Sequence, residues 1–122
     1  MEVLPSVSVS SPPVTETSGE REECPVDATL SVVGGRWKGT ILWRLESGPM
    51  RTSELRRSIP GISERMLIRH LQELVADGVL DRTDAGTVPP RVTYAMSEYG
   101  RTLAPVVWAM CEWGRTHLAR GR

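Results

Sequence analysis

No phenylalanine occurs in this 122-residue chain, and its aromatic side chains are four tryptophans and two tyrosines. Large core residues must therefore be aliphatic, with the tryptophans as the bulky exceptions. Cysteine is scarce. Cys24 and Cys111, far apart in sequence, cannot form a disulfide framework. The two histidines, His70 and His117, share no metal-ligand spacing with the cysteines or with a carboxylate pair. No serine sits in a nucleophile elbow, and no glycine loop resembles a phosphate cradle. Catalytic residues, metal ligands and cofactors are accordingly not expected, and the chain does not read as an enzyme. There is no run of eighteen apolar residues, which excludes a membrane-spanning helix. Nor does a basic segment followed by an apolar one open the chain, so no secretory signal is expected and the cytoplasm is the compartment inferred. Internal repeats are also lacking.

Net charge is absent as well, formally +0, but the average hides an asymmetry. Residues 1–23 carry five glutamates against Arg21 alone, so fifteen basic and fifteen acidic side chains divide as 14 and 10 after residue 23, a balance of +4. Lysine is nearly missing too. Lys38 is the single lysine, and every other cation is an arginine, the side chain suited to bidentate contacts with phosphate and guanine. Residues 1–22, rich in Ser, Pro, Thr, Val and Glu, have no usable periodicity and read as a disordered tail. One domain is expected over residues 23–120, a length able to bury a cooperative core.

Within that domain the pattern predicts a mainly α fold with a small β-hairpin (α+β), in the order α-α-(short β)-α-α-β-β-α. Residues 26–33 place Val26, Leu30 and Val33 on one stripe, ended by Gly34-Gly35. Residues 37–47 set Trp37, Ile41 and Leu45 at helical spacing and stop at Gly48-Pro49. Thr52 or Ser53 can cap a short helix with Glu54 in its first turn; Pro60-Gly61-Ile62 interrupts it. Ser63 can cap the next helix, which runs to about Asp77 before Gly78. Extended pieces 79–83 and 91–96 flank a loop holding Asp84, Gly86, Pro89 and Pro90, which makes a hairpin. A last helix is expected from a Ser97 cap to about Leu118, with Pro105 inside it, either kinking it or costing it a hydrogen bond.

Two helices joined by a short glycine-containing turn and followed by a hairpin make a winged helix-turn-helix, whose second helix enters the DNA major groove. On that helix Leu67, Leu71, Leu74 and Val75 form an inward stripe, and Arg65, Arg69 and Gln72 occupy a different face. Arginine pairs with guanine O6 and N7, and glutamine suits adenine. Glu64 could accept from cytosine or repel phosphate. Ser63 and Ile68 complete the candidate base-reading set. Arg82 and Arg91 on the hairpin are candidates for phosphate or a narrow minor groove. Thr52 is a further candidate DNA contact, and Arg51, Arg56 and Arg57 are candidate phosphate contacts on weaker grounds.

Cys24-Pro25-Val26, Gly34-Gly35-Arg36-Trp37, Ser53-Glu54-Leu55-Arg56, Pro60-Gly61-Ile62-Ser63 through Arg65-Met66-Leu67, Leu74-Val75-Ala76-Asp77-Gly78, Val88-Pro89-Pro90-Arg91-Val92-Thr93-Tyr94 and Tyr99-Gly100-Arg101 follow one another in the order found in the HxlR-type family of bacterial transcriptional regulators. The resemblance covers about residues 24–118. It implies a MarR-like winged helix, a homodimer on a near-palindromic operator, a recognition helix carrying Arg65, Arg69 and Gln72, and a wing carrying Arg91. Ile68 and His70 stand where many members have polar or basic residues, so the preferred bases are expected to differ. The acidic tail is not a family feature.

A two-fold DNA site calls for a two-fold protein. The last helix offers Leu103, Val106, Val107, Met110 and Trp113 at helical spacing, with Gly114 permitting close approach, and a second stripe of the first helix can join it. Dimerisation through N- and C-terminal helices is therefore expected. Trp37, Trp43, Trp108 and Trp113 could line a ligand pocket or simply be large core residues. Cys24 precedes a helix start, which favours the thiolate and raises reactivity, whereas Glu22 and Glu23 oppose it. The resemblance implies a sensor of electrophiles or oxidants there; a small buried structural thiol is the other reading. The rival to a DNA-binding regulator is a winged helix used only for protein–protein contact. Its recognition helix should be apolar or acidic, which Arg65 and Arg69 do not fit.

Overall fold

The computed structural model describes residues 24–121; the expected tail lies outside the described residues. Along the chain run α1 (Pro25–Val33), α2 (Lys38–Leu45), β1 (Met50–Arg51), α3 (Thr52–Ser58), α4 (Glu64–Ala76), β2 (Leu80–Asp84), β3 (Val92–Met96), a 3₁₀ turn (Gly100–Leu103) and α5 (Ala104–Arg120). This is the expected order, a winged helix-turn-helix. No described helix is long and apolar enough to cross a membrane.

α4 is the best-specified element. The Ser63 hydroxyl accepts from the Met66 amide at 3.1 Å, which satisfies one of the free donors of the first turn. Leu67, Leu71 and Leu74 recur at helical spacing and are fully buried, each stabilising the fold by roughly 1.5–3 kcal/mol. Gly78 ends the helix with φ +83°, and Gly61 turns the chain between α3 and α4 with φ +92°, conformations that side-chain-bearing residues rarely adopt. Ile41, Leu42 and Leu45 of α2, Leu55 of α3, Ile59, Ile62, Val79 and Leu80 complete an aliphatic core around α4.

The three-stranded antiparallel sheet has the order β1-β3-β2. Leu80 opposes Met96 and Asp84 opposes Val92, while Met50 and Arg51 of the two-residue β1 pair with Tyr94 and Thr93. Tyr94, in the central strand, is buried against the core. At the tip, Asp84 Oδ1 accepts from the Gly86 amide at 2.9 Å, the Ala85 amide donates to the Arg91 carbonyl at 3.0 Å, and the Thr87 hydroxyl donates to the Pro89 carbonyl at 2.8 Å. The wing is therefore a built turn.

Three local expectations change. The residue before α3 is Arg51, not Thr52 or Ser53: pairing with Thr93 holds Arg51 extended, and its amide donates to Glu54 Oε1 at 2.7 Å. Ser97 caps a 3₁₀ turn, accepting from the Gly100 amide at 2.8 Å and donating to the Gly78 carbonyl at 2.7 Å. Gly100 packs so closely on Val79 that an added Cβ would overlap its carbonyl oxygen. The α-helix then starts at Ala104, so Pro105 lies in its first turn, a position that tolerates proline, and it starts the helix instead of kinking it. On α1 only Val33 is buried; Val26 and Leu30 remain 64% and 52% exposed.

Candidate nucleic-acid interface

α4 lays its leucines inward, and the same 100° rotation per residue turns Arg65, Arg69 and Gln72 to the surface, where all three are exposed. Ser63 is exposed at the helix start, with its oxygen engaged by the cap, and Ile68 is half-buried. Leu67 beside Ile68 explains this: the residue following an inward position sits at the margin of the stripe.

α3 approaches α4 at its first turn. Arg56 Nη1 lies 3.6 Å from Glu64 Oε1, both side chains being more than half exposed. Glu64 is therefore offset by a cation and is not a lone negative charge at the helix start. Thr52, Ser53, Arg56, Arg57 and Glu64 line a shallow hollow between the two helices. Its hydroxyls and guanidinium groups are the donors a phosphate oxygen accepts from.

On the wing, Arg82 and Arg91 are exposed. The register places Arg82 opposite Tyr94, and Arg91 immediately precedes β3 at the base of the tip turn. Val88 at the tip is 96% exposed. The candidate contacts thus fall on three elements, α3, α4 and the hairpin, and β1 ties the last to the first.

Sequence reasoning missed a group beneath this surface. Lys38 of α2 is 9% exposed, and its Nζ lies 2.9 Å from Glu73 Oε1 on α4. Arg69 Nε lies 3.5 Å from the other oxygen, Oε2. His70 Nδ1, buried and without a hydrogen-bond partner, is 3.6 Å from Oε1, beyond hydrogen-bond reach. The hydrogen bond from Lys38 is the largest cause holding the Glu73 carboxyl below the usual glutamate range. Two signals were available: Glu73 stands four residues after Arg69, and Lys38 is the chain's one lysine.

The far side of the domain is apolar. Val106, Trp108, Met110, Trp113 and Leu118 of α5 are exposed by 36–69%. Val107 instead points into the protomer's own core and Leu103 is half-buried against it, because α5 must cover α2 with one stripe before another can face outward. Trp43 stacks on Trp108, Trp113 stacks on His117, and the Arg36 guanidinium lies 4.4 Å above the Trp37 ring. Trp43, Arg36, Thr40, Met110 and Cys111 border a cavity of about 310 Å³ between α2 and α5. Trp37, Trp108 and Trp113 are not in its lining, so the four tryptophans do not share one pocket. Cys24 is free and exposed, and Cys111 is free and half-buried. Among the described residues no three His, Cys, Asp or Glu side chains gather as a metal site.

A hairpin wing set beside a capped, arginine-faced second helix defines a winged helix-turn-helix transcriptional regulator. The chain belongs to the HxlR-like helix-turn-helix family, whose profile matches residues 32–122. It is 50% identical over 95 residues to the uncharacterized HTH-type transcriptional regulator YtcD of Bacillus subtilis (strain 168), covering 78% of this chain and 75% of that relative. The crystal structure of ytcD superposes with TM-score 0.74 at 46% identity, covering 80% of this chain and 99% of that one. The redox regulator HypR in its reduced form also superposes with TM-score 0.74 at 46% identity, covering 76% and 92%. The protein is thus a DNA-binding transcription regulator of the helix-turn-helix type, and its relatives and structural neighbours are regulators, not enzymes.

Proposed function

We propose that the protein acts in the cytoplasm as a sequence-specific repressor, a homodimer on a near-palindromic operator. The observation that carries this reading is the single exposed face of α4 bearing Arg65, Arg69 and Gln72 beside a wing bearing Arg82 and Arg91. In it α4 enters the major groove, with Arg65 and Arg69 on guanines, Gln72 on adenine and Ile68 against a thymine methyl. Arg91 and Arg82 reach the adjacent minor groove or its phosphates, and Thr52 and Arg56 hold the backbone.

The exposed apolar residues of α5, Val106, Met110 and Trp113 foremost, are the proposed dimer surface, joined by Val26 and Leu30 of α1. Large apolar side chains exposed on one helix face are a partner-binding feature. Residues 23–120 form the working unit in this reading, with residues 1–22 as an appended tail. The signal proposed is thiol-reactive, received at Cys24, which is exposed where α1 begins. The likeness to HypR, a redox regulator with reduced and oxidised structures, supports it. A small molecule in the cavity beside Trp43 is the other effector route.

The test is fluorescence anisotropy of the reduced protein on DNA from upstream of its own gene, titrated beside a scrambled duplex at two salt concentrations. Binding in roughly the nanomolar range, far tighter than to the control, is expected. Oxidant should release the wild type and not Cys24→Ser. Equal, weak and steeply salt-dependent binding to both duplexes would reduce the contact to backbone charge at that promoter. No binding at low salt would favour a protein-interaction module.

A further inference from the structure

The carboxylate of Glu73 has two oxygens with two different duties. Oε1 receives Lys38 Nζ at 2.9 Å from inside the domain, and Oε2 faces Arg69 Nε at 3.5 Å on the outer surface. Lys38 is nearly buried, with its side chain 11% exposed, whereas Arg69 is 68% exposed. A buried ammonium must be paired, so Glu73 cannot leave it for solvent without stranding that charge. Glu73 is thereby fixed in place by α2, one helix below the surface, and its remaining oxygen is presented to Arg69.

Which edge of Arg69 is engaged matters. Guanidinium carries five N–H donors in a planar fork. The closest approach to Glu73 is through Nε, on a side chain that is 68% exposed, and the Nη groups at the end of the fork are the donors of the end-on bidentate contact that recognises guanine O6 and N7. An unheld arginine samples many rotamers and loses that freedom on binding, so a partner holding the side chain lowers the cost of ordering it.

We infer that Glu73 is a positioning residue: anchored by Lys38, its carboxylate holds Arg69 by the Nε edge and so sets which base pair the guanidinium reads. The inference rests on the placement of Arg69 in the major groove proposed above. It also explains why an acid is tolerated on the DNA-reading helix: Lys38 offsets its charge from within. The hydrogen bond from Lys38 further favours the ionised form of Glu73 that this role requires.

The test begins with duplexes selected by the wild-type protein from a random pool. The base pair at which Arg69→Ala relaxes selection marks the pair Arg69 reads. Wild type, Glu73→Gln, Arg69→Ala and the double variant are then titrated by anisotropy against the selected duplex and its single-base-pair replacements. Glu73→Gln should cut discrimination at the Arg69 pair about tenfold, part of the roughly 5- to 150-fold carried by a bidentate arginine–guanine contact. Discrimination at other pairs should stay within about twofold, as expected for separated positions. Adding Glu73→Gln to Arg69→Ala should change nothing further. Because Glu73→Gln strands Lys38, the Lys38→Met/Glu73→Gln variant, which removes the buried charge along with its partner, must show the same loss. An equal weakening on every duplex, or a Glu73 effect that adds in full to Arg69→Ala, would overturn the inference while leaving Arg69 as a reader. If Arg69→Ala leaves the selected sequence unchanged, the groove placement of Arg69 fails, and the inference with it.

Discussion

Trp43 of α2 and Trp108 of α5 stack with ring centroids 5.2 Å apart and planes 13° from parallel. In a chain without phenylalanine this pair takes the part that aromatic clusters play elsewhere, joining the helix that underlies the DNA-reading unit to the helix that carries the outer apolar face. A double-mutant cycle of Trp43→Leu and Trp108→Leu, read by denaturant unfolding at one protomer concentration, should give a coupling of about 0.5–1 kcal/mol. The lower part of the range for stacked rings is expected because Trp108 is half exposed. Additive effects would mean that the two rings only share a neighbourhood.

Pro105 supplies a prediction of sign. A proline inside a helix costs about 3 kcal/mol, and replacing it with alanine would stabilise the protein by a similar amount. In the first turn of α5 the ring costs nothing and restricts the unfolded chain. Pro105→Ala should therefore destabilise slightly, by less than about 1 kcal/mol. A rise in the denaturation midpoint would show that the ring strains α5 after all.

Glu64 is the one carboxylate in the first turn of α4, and its partner Arg56 belongs to the proposed phosphate contacts. Replacing it with glutamine removes a negative charge from the proposed DNA-facing surface and frees Arg56. Glu64→Gln should tighten binding to specific and scrambled duplexes alike, by about two- to fivefold at low salt, with the gain fading as salt rises. Stability should change by less than about 1 kcal/mol, as for exposed ion pairs. A loss of affinity confined to one base pair would assign Glu64 to cytosine recognition instead.

The lowered carboxyl of Glu73 fixes the direction of a pH effect. A group whose folded value is depressed contributes stability above its unfolded value, and that contribution is lost as pH falls through the folded one. Wild type and Glu73→Gln should therefore differ by a constant margin at neutral pH, and the margin should shrink on acidification through and below the ordinary glutamate range. Denaturation midpoints across that range check it; a margin that grows in acid would contradict the pairing with Lys38.

What could be read from the sequence was what local chemistry decides. The Ser63 cap, the leucine stripe of α4 and the stop at Gly78 all lie within one stretch of chain, and each acts on its immediate neighbours. The hairpin followed from two extended pieces around a glycine- and proline-containing loop. What could not be read depends on partners remote in sequence. Arg51 precedes α3 because Thr93 holds it extended. Pro105 opens α5 because Gly100 is packed against Val79, which confines the preceding turn to a 3₁₀ form. Val107 faces inward while Val106 does not, a choice made by the position of α2. Likewise no pattern announces that Lys38 meets Glu73; helical periodicity gives each residue a direction but not the neighbour found there. Of the candidate interface, the exposure of Arg65, Arg69 and Gln72 was legible from period alone and the Arg69–Glu73 spacing was there to be read, but the Lys38 anchor behind that carboxylate was not.

Arg51 ends β1, paired with the wing at Thr93, and is also the residue from which α3 departs. No loop separates the two, so the wing cannot swing without dragging the helix that supports α4. The span from α4 to the strands of the wing is therefore set by this pairing, like the opening of a caliper. With α4 and the wing docked as proposed, a duplex whose adjoining grooves do not match that opening would have to supply the deformation itself, and stiff and pliable sequences would thereby be told apart at base pairs that no side chain touches.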